Sequence, residues 1–417
     1  MSATNTMLPF GLPPPAAETV DLLIVAGEHS GDEHAAKMVR ELRTRCPGLR
    51  IAALGGPALA AAGAQLLHDL TATSVVGFVE VLKHLSFYRA LLDATQRWIG
   101  QYRPRAVCLV DYPGFNLRLA AALRERGLTV KGGGRIKALY YISPQIWAWK
   151  AKRRFAMARD LDAMAVIFPF EPGCYADTML PVEFVGHPFA AADYAPPVRF
   201  DEAGPILLLP GSRRQAVERI FPVLLEGLAE FLRTQPAARA VALYPSEEVA
   251  VVLRGVLAGR PALADKVELR CVSEGRARPL GAPSEPTNGG RPGGPSLPVA
   301  ASAVLTSSGT MSMHCALAGI PGAVVYRTNP LTYLFGRWLV KVPYIGMANL
   351  LLNEAMYPEF IQGAATAAAL GRQLADCTGN PVRREQAHAQ MTRLHDLLRQ
   401  PTSGSAADWL ARQLATG

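Results

Sequence analysis

The feature that most limits the possible folds is a pattern that occurs twice: a short apolar run, a glycine-containing polar turn and then a helical pattern. The first copy spans residues 206–213 and the second spans residues 303–310. A strand that turns directly into a helix aims the first backbone N–H groups of that helix at one position, where an anion can bind. Arg213 adds a forked cation that suits a pyrophosphate. The alternatives are ordinary turns, with an exposed arginine in the first and helix-capping hydroxyls in the second.

Length and composition are those of a globular protein with two domains. The chain has 417 residues, of which 50% are hydrophobic and 18% are charged, enough for two separate cores. Its net charge of +9 comes from scattered lysines and arginines and favours an anionic partner, namely a nucleotide, a phospholipid surface or a nucleic acid. Nucleic acid is the weakest of the three, because the sequence contains no zinc finger, RNA-binding sheet motif or basic zipper.

Cysteine usage and hydropathy indicate the compartment. The six cysteines are far apart and include no C-x-x-C pair, which is typical of thiols in a reducing compartment. No apolar run reaches the ~18–20 residues of a membrane span. Residues 1–17 lack the basic start and the apolar middle of a signal peptide. The sequence therefore predicts a cytoplasmic protein that can still contact a membrane surface.

Alternating strand and helix patterns predict an α/β protein with parallel sheets, in two Rossmann-like domains followed by helices. The predicted strands lie at 22–25, 51–54, 106–110, 139–142, 206–209, 240–243, 303–305 and 323–326. The predicted segments are a disordered tail (1–18), a first domain (19–188), a proline-rich linker (189–204), a second domain (205–364) with a mobile loop (281–298), and C-terminal helices (365–417). A cleft between the domains is the expected ligand site, because ligands bind at the carboxyl ends of parallel strands.

Carboxylates follow two predicted strands of the first domain. Glu28 and Asp32 lie in the glycine-bracketed turn after the first strand, and Asp111 follows the strand at 106–110. A carboxylate at the carboxyl end of a strand is well placed to act as a general base, so Asp111 is the first candidate and Glu28 and Asp32 are the reserves. The structural alternatives are a helix-dipole charge for Asp32 and a turn-forming side chain for Asp111. Asn116 is either a helix cap or an acceptor contact.

Three further segments suggest binding of sugar or lipid. Ser143 and Trp147 lie in an aromatic strand end followed by basic residues, which suits a sugar ring and a phosphate, with core packing as the alternative. Residues 77–92 and 330–341 form helical stripes of apolar residues with basic flanks. Such stripes usually face a core, and an anionic bilayer surface is the second interpretation. The lipid-facing candidates of the first stripe are Phe78, Val81, Leu82 and Leu85.

Short segments across most of the chain resemble the lipid-A-disaccharide synthase family, which consists of glycosyltransferases of the two-Rossmann GT-B type. The matching segments are 26–32, 76–82, 111–116, 141–149, 168–171, 184–188, 209–213, 308–310, 326–327 and 348–351. Each is weak alone, but their order and spacing make the resemblance specific. It implies that UDP-2,3-diacylglucosamine donates its sugar to the 6-hydroxyl of 2,3-diacylglucosamine 1-phosphate. The implied products are the β-1,6-linked lipid A disaccharide 1-phosphate and UDP.

The resemblance also implies an inverting reaction with one general base, because the donor is α-linked. It also implies no metal cofactor. In agreement with this, no Asp-x-Asp pair stands in a suitable position in the sequence. The implied nucleotide-binding residues are Gly211, Ser212, Arg213, Ser308, Gly309, Thr310, His314, Asn349 and Gln362. His314 is a departure, because the family often has a glutamate there that holds the ribose hydroxyls, and an imidazole offers no bidentate acceptor.

The expected partners are the UDP-sugar, the acceptor phosphate and the anionic surface of the inner membrane on its cytoplasmic face, with no nucleic acid. A homodimer is one option for the oligomeric state. Two competing interpretations stay open, because a fold does not fix a function. One is another UDP-sugar enzyme of the same architecture, a transferase or an epimerase. The other is a catalytically silent relative that binds lipid or nucleotide.

Overall fold

The computed structural model describes two compact units. One consists of Met1–Pro188 with Arg399–Gly417, and the other is Phe189–Leu398. The described residues are 11–71, 81–191, 194–273, 276–279, 298–329, 333 and 342–415, with the backbone alone at 81–85, 273 and 276–279. Of the predicted mobile loop 281–298, only residue 298 is among the described residues.

A seven-stranded parallel sheet forms the centre of the first unit. Its strands are β1 (Leu22–Ala26), β2 (Ile51–Gly55), β3 (Gln65–Asp69), β4 (Ala106–Val110), β5 (Lys137–Tyr141), β6 (Ala163–Val166) and β7 (Val182–Phe184). Every residue of β1, β2 and β4 is buried, as expected for apolar runs that do not alternate with polar residues. The strand order is β3-β2-β1-β4-β5-β6-β7.

Helices connect these strands and bury their apolar stripes. The described helices of this part of the chain are α1 (His29–Arg45), α2 (Pro57–Ala61), α3 (Val81–Tyr102), α4 (Pro113–Glu125) and α5 (Arg153–Asp160). The predicted apolar face of α1 is confirmed, because Ala35, Met38, Val39 and Leu42 are all buried. The last helix of the chain, Ala406–Ala415, packs against α1, and Asp408 forms an ion pair of 2.8 Å with Arg45.

The second unit is built in the same way around another seven-stranded sheet. Its strands, in chain order, are β8 (Val198–Phe200), β9 (Ile206–Leu209), β10 (Ala240–Tyr244), β11 (Val267–Ser273), β12 (Arg276–Pro279), β13 (Val299–Ala301), β14 (Ala303–Thr306), β15 (Gly322–Tyr326) and β16 (Glu359–Ile361). The order in the main sheet is β12-β11-β10-β9-β14-β15-β16, with β12 antiparallel to β11 and the other described neighbours parallel. Strands β8 and β13 form a separate parallel pair.

The helices of the second unit follow the same alternation. Those whose bounds lie within the described residues are α6 (Arg214–Leu232), α7 (Glu247–Ala258), α8 (Thr310–Leu317), α9 (Met347–Leu352), α10 (Ala367–Gly379) and α11 (Pro381–Leu398). Helix α6 contributes the largest set of buried apolar side chains, including Val217, Phe221 and Leu224, to the core of this unit. The predicted α/β class with two Rossmann-like sheets and C-terminal helices is confirmed.

Three predicted segment assignments differ from the structure. Residues 11–18 are not a disordered tail, because Trp98 donates a 2.9 Å hydrogen bond to the carbonyl of Pro13, and Gln65 exchanges hydrogen bonds with Pro14 and Ala16. The predicted linker at 189–204 belongs to the second unit, since it contains β8. The C-terminal helices are divided between the units: α10 and α11 belong to the second unit and the last helix to the first.

Candidate active site

Each main sheet has a topological switch point, where adjacent strands lead into connections that run to opposite sides. In the first unit it lies between β1 and β4, which pair with Ala26 opposite Val110. In the second unit it lies between β9 and β14, which pair with Leu209 opposite Thr306. Ligands of open α/β sheets bind outside the carboxyl ends of the strands at such points. The predicted carboxylates follow the first pair of strands, and the predicted phosphate-binding turns follow the second.

Asp111 is held at the carboxyl end of β4 by its backbone. Its N–H donates to the carbonyl of Tyr141 (2.9 Å), and its own carbonyl accepts from the Tyr140 hydroxyl (2.6 Å) and from Nδ2 of Asn116 (2.8 Å). Asp111 and Tyr112 both have left-handed backbone conformations, with φ of 46° and 47°. Non-glycine residues adopt that region at a cost, and such strain concentrates at functional sites. The backbone of Asp111 is therefore held in one conformation at the end of β4.

The electrostatic surroundings of Asp111 make it a stronger base than an ordinary carboxylate. Burial, and to a smaller extent the negative charge of Glu28, raise the pKa of Asp111 to about 6, against the opposing effect of a hydrogen bond from the backbone of Tyr112. A carboxylate with this pKa is still mostly ionised at neutral pH and accepts a proton more readily. The geometry and the pKa thus favour Asp111 as the base among the three predicted carboxylates.

The two reserve carboxylates have different surroundings. Glu28 is half-buried immediately before α1, in the turn after β1, and β1 pairs with β4, the strand that Asp111 follows. Asp32 is fully buried, and its carboxylate accepts backbone N–H groups from Gly56 (2.8 Å), Ala58 (2.9 Å) and Leu59 (3.3 Å). The oxygens of Asp32 therefore hold the start of α2, which favours the structural alternative for this residue, and its role as a reserve base stays a prediction.

Two of the predicted acceptor contacts of the first unit, Asn116 and Ser143, are buried and bonded within the protein. Asn116 is fully buried, and its Nδ2 donates to the carbonyls of Val25, Val110 and Asp111, so it ties β1 to β4 and is not an acceptor contact. Ser143 is buried and bonded to the hydroxyl of Tyr175 (2.6 Å), which excludes it from the surface as well.

Trp147 remains a candidate for contact with a sugar ring. It is half-buried in an aromatic cluster, edge-on to Phe170 at 5.3 Å and to Phe168 at 6.4 Å between ring centroids. Edge-to-face contacts fix the plane of an indole ring. Core packing, the alternative interpretation of Trp147, accounts for these contacts. A role of Trp147 in sugar binding stays a prediction.

Two turns of the second unit lie side by side at its switch point. Gly211 has φ of 115°, a conformation that side chains rarely adopt, and a Cβ added there would come within 3.3 Å of Oγ of Ser307. The backbone N–H of Ser307 donates to the carbonyl of Leu209 at 2.8 Å, which joins the two turns. In the part of the chain that the structure describes, no side chain caps the start of α6 or of α8. Backbone N–H groups of both helices are therefore available to an anion.

The side chains of these turns are accessible. Ser212 and Arg213 are exposed just before α6, and Gly309 and Thr310 are exposed at the start of α8, with Ser308 half-buried beside them. Thr310 and Ser308 do not cap α8; instead Ser312 donates its hydroxyl back to the carbonyl of Gly309 at 2.6 Å. The predicted phosphate-binding set thus stands at one edge of one sheet, and its role stays a prediction.

His314 lies one turn further along α8 in an aromatic cluster. Its Nδ1 is 2.5 Å from the hydroxyl of Tyr194, and its ring lies 4.1 Å from that of Phe189 between centroids. These contacts fix the ring plane of His314. Contact with a ribose hydroxyl stays a prediction for this residue.

Asn349 and Gln362, two predicted nucleotide contacts, both make hydrogen bonds within the protein. Asn349 is fully buried, donates to Tyr357 and Glu359, and accepts from the backbone N–H of Tyr357, and its role toward the nucleotide stays a prediction. The side-chain amide of Gln362 pairs with both backbone groups of Thr328 at 3.0 Å, as a neighbouring strand would. Gln362 also lines a surface depression, where its side-chain amide joins the segment after β16 to the segment after β15.

The predicted lipid-contacting stripes fall mostly outside the described residues. Phe78 lies outside them, and at Val81, Leu82 and Leu85 only the backbone is described. The described part of that stripe, Tyr88 and Leu92, packs against the core of the first unit. Of the second stripe only residue 333 is described. No helix among the described residues combines the length and apolar character needed to cross a bilayer.

The comparisons with known proteins decide the family. A family model of lipid-A-disaccharide synthetases matches residues 22–254 and 296–412 of this chain. Lipid-A-disaccharide synthase 1 of Legionella pneumophila (strain Lens) is 34% identical over 400 residues, which cover 93% of this chain and 94% of that protein. The chain belongs to the lipid-A-disaccharide synthase family. The lipid-A-disaccharide synthase of Nitrosococcus oceani is similarly close, 35% identical over 352 residues that cover 82% of this chain and 83% of that protein.

Membership in the lipid-A-disaccharide synthase family makes the chain an enzyme, a glycosyltransferase of lipid A disaccharide synthesis, as the resemblance predicts. Solved structures agree on the fold. The glycotransferase of kitacinnamycin has a TM-score of 0.56 at 17% identity, covering 96% of this chain and 100% of its own. The calicheamicin glycosyltransferase CalG4 has a TM-score of 0.51 at 14% identity, with coverage of 95% and 99%.

Sequence reasoning missed two tyrosines that hold candidate residues. Tyr140 supports the backbone of Asp111, and Tyr194 holds His314. A signal existed for Tyr140, because a hydroxyl in a predicted buried strand needs a hydrogen-bond partner. Tyr194 lies in the alanine- and proline-rich stretch of the predicted linker, where no local pattern indicates a partner for its hydroxyl.

Proposed function

We propose that this enzyme transfers 2,3-diacylglucosamine from UDP to the 6-hydroxyl of 2,3-diacylglucosamine 1-phosphate. The acceptor O6 forms a bond to the anomeric carbon while the bond from that carbon to the β-phosphate oxygen of UDP breaks. The acceptor proton passes to a carboxylate, and the products are the β-1,6-linked disaccharide 1-phosphate and UDP. The observation that carries the proposal is Asp111, a carboxylate of raised pKa at the switch point of a sheet in a chain of this family.

Asp111 acts as the general base. The pKa of about 6 lies nearer to neutral pH than that of an ordinary carboxylate, so Asp111 is ionised before the reaction and basic enough to remove the acceptor proton as O6 attacks. Its backbone is fixed by Tyr140, Tyr141 and Asn116, which keeps the carboxylate in one position. Glu28 assists by raising the pKa of Asp111 through its negative charge.

The departing diphosphate is stabilised in the second unit. Gly211 and Arg213 precede α6, and the turn Ser308–Thr310 precedes α8. The positive ends of two helices and a guanidinium suit the negative charge that UDP gains as the sugar leaves. We propose that these groups bind the diphosphate, and that His314 contacts the ribose.

The proposal needs no metal cofactor, because Arg213 and the two helix starts supply the positive charge. The sequence contains one Asp-x-Asp pair, Asp160 and Asp162, and both residues have structural partners. Asp160 accepts from Arg124 (2.7 Å) and Arg159 (2.8 Å), and Asp162 accepts from the backbone of Ala138 (2.7 Å). Turnover should be unchanged by excess EDTA. A loss that Mg²⁺ restores would contradict this part of the proposal.

We propose that the enzyme works at the anionic cytoplasmic face of the inner membrane. Both substrates carry acyl chains, and the net charge of +9 favours an anionic surface. The protein should float with vesicles that contain phosphatidylglycerol and stay behind with vesicles of phosphatidylcholine alone. Equal flotation with both would remove the electrostatic argument.

Purified protein mixed with UDP-diacylglucosamine and diacylglucosamine 1-phosphate tests the reaction directly. The expected products are UDP and the disaccharide 1-phosphate in equal amounts, measured by chromatography and mass spectrometry. An epimerised sugar nucleotide, or binding of the donor with no product, would contradict the proposed function.

A further inference from the structure

The second unit contains a surface depression that no step of the proposed reaction uses. Its volume is about 850 Å³, and it is lined by α6 and by the segments that follow β15 and β16. Those segments extend from the carboxyl ends of their strands, the edge of an α/β sheet where ligands bind. Two arginines, Arg219 of α6 and Arg327 after β15, stand in its walls.

The charge of this depression is positive and uncompensated. Both Arg219 and Arg327 are exposed, and among the described residues neither guanidinium makes an ion pair or a hydrogen bond. Glu218 is the carboxylate that also lines the depression, and it is bound by Arg214 at 2.9 Å. Two guanidiniums without a partner among the described residues therefore give this concave surface a positive charge.

The wall of the depression is fixed before any ligand arrives. Gln362 has a left-handed backbone with φ of 54°, and its amide locks onto both backbone groups of Thr328 at 3.0 Å. Gly363 follows it in the wall, with no atom within 4 Å of the position that a Cβ would take. A ligand oxygen can therefore approach the backbone of Gly363 closely, without a rearrangement of the surface.

We propose that this depression binds the phosphate monoester of the acceptor. A phosphate monoester carries a charge between about −1.5 and −2 at neutral pH, so two guanidiniums neutralise it. Arginine also matches phosphate oxygens in pairs. Arg219 lies six residues beyond Arg213, about 9 Å along the helix, so the two arginines can serve separate phosphate groups. The inference rests on the proposed function, because it names the group that distinguishes that acceptor from an unphosphorylated sugar.

The test compares the double variant R219Q/R327Q with the wild type on two acceptors, diacylglucosamine 1-phosphate and the same sugar without phosphate. The matched control is R233Q/R254Q, which removes two arginines that instead pair with Glu230 and Glu247. For the phosphorylated acceptor we expect KM to rise about tenfold or more in the double variant, with kcat within about twofold of the wild type. The preference for the phosphorylated acceptor should disappear, and the control should keep it.

Two binding measurements identify the source of the phosphate. UDP titrated calorimetrically into the double variant should bind as to the wild type, and flotation with phosphatidylglycerol vesicles should match that of R233Q/R254Q. Weaker UDP binding would assign the arginines to the donor, and reduced flotation with unchanged KM would assign them to membrane headgroups; either result overturns the inference. An unchanged phosphate preference overturns it too. If the wild type forms no disaccharide with either acceptor, the proposed function itself fails, which is a different result.

Discussion

The switch points of the two sheets share a topology and differ in charge. In each, two adjacent parallel strands end in turns that lead into helices α1 and α4, or α6 and α8. In the first unit those turns carry Glu28 and Asp111 and the pKa of Asp111 is raised. In the second unit they carry Arg213 and two helix starts without side-chain caps. The same scaffold thus presents a base in one unit and an anion site in the other.

The difference teaches that strand order decides where a site forms, and turn residues decide its chemistry. The backbone N–H groups of a helix start attract anions, and in the first unit those at the start of α2 are already bonded to a carboxylate of the first turn of α1. There the Asp32 carboxylate is fully buried and bonded to the N–H groups of Gly56, Ala58 and Leu59. A negative charge built into the protein makes that edge unsuited to a diphosphate.

Replacement of Asp111 should have the largest effect. Asp111→Asn keeps the size of the side chain and removes the base, so kcat should fall roughly 10²- to 10⁴-fold. Steady-state kinetics with both substrates measure this, and exposed Asp93→Asn is the matched control. The folded-state pKa of Asp111 lies above its ordinary value of 3.8, so its ionisation costs stability as the pH rises from about 4 to about 6. The variant should therefore melt no lower than the wild type at pH 7.5, and near-normal turnover would exclude Asp111 as the base.

Replacement of Asp32 should affect folding instead of chemistry. Asp32→Ala leaves three backbone N–H groups without their acceptor, so unfolding should become easier by about 2–4 kcal/mol. Urea denaturation followed by circular dichroism measures this. The control is Glu33→Ala on the same helix, where the side chain is 49% exposed and a change within about 0.5 kcal/mol is expected. Full stability with lost turnover would instead favour Asp32 as a base.

Replacement of Arg213 should weaken nucleotide binding. Arg213→Ala removes charge-assisted hydrogen bonds to the diphosphate, so the Kd of UDP should rise about 10- to 100-fold. Calorimetric titration measures it. Arg233→Ala, at the other end of α6 with its side chain 75% exposed, is the control. A wild-type Kd in Arg213→Ala would take the diphosphate away from this turn.

The pH dependence should show the smallest effect. Because the base must be ionised, kcat/KM should be constant at high pH and fall about tenfold per pH unit below the Asp111 pKa of about 6. Initial rates between pH 4.5 and 8.5 measure this profile. An inflection near pH 4 would mean that the carboxylate in use is an ordinary, solvated one.

The sequence predicts most of the strands that are apolar throughout, although it missed β6, which is also apolar and fully buried. Segments such as 22–25, 106–110 and 206–209 are buried on both faces and carry no competing pattern. Strand β3 has His68 and Asp69 at its end, and β16 is a three-residue edge strand, so neither has an apolar run to recognise. Their position depends on pairing with a neighbour, which a local pattern does not contain.

The site was predictable to the level of the strand end, and no further. Asp111, Gly211 and Arg213 follow apolar strands, and parallel strands of one sheet share an edge. The role of a polar side chain at that edge depends on its partners, which come from distant residues. Asp32 meets Gly56 and Ala58 across 24 and 26 residues, and only the folded chain reveals that its carboxylate is occupied.

The central claim is that one switch point supplies the base and the other binds the diphosphate. Its most direct test is calorimetric titration of UDP into Asp111→Asn and into Arg213→Ala, together with single-turnover measurements on both variants. Asp111→Asn should bind UDP with the wild-type Kd and lose turnover, whereas Arg213→Ala should lose UDP affinity. Equal losses of UDP affinity in both variants, or wild-type affinity in both, would contradict the account.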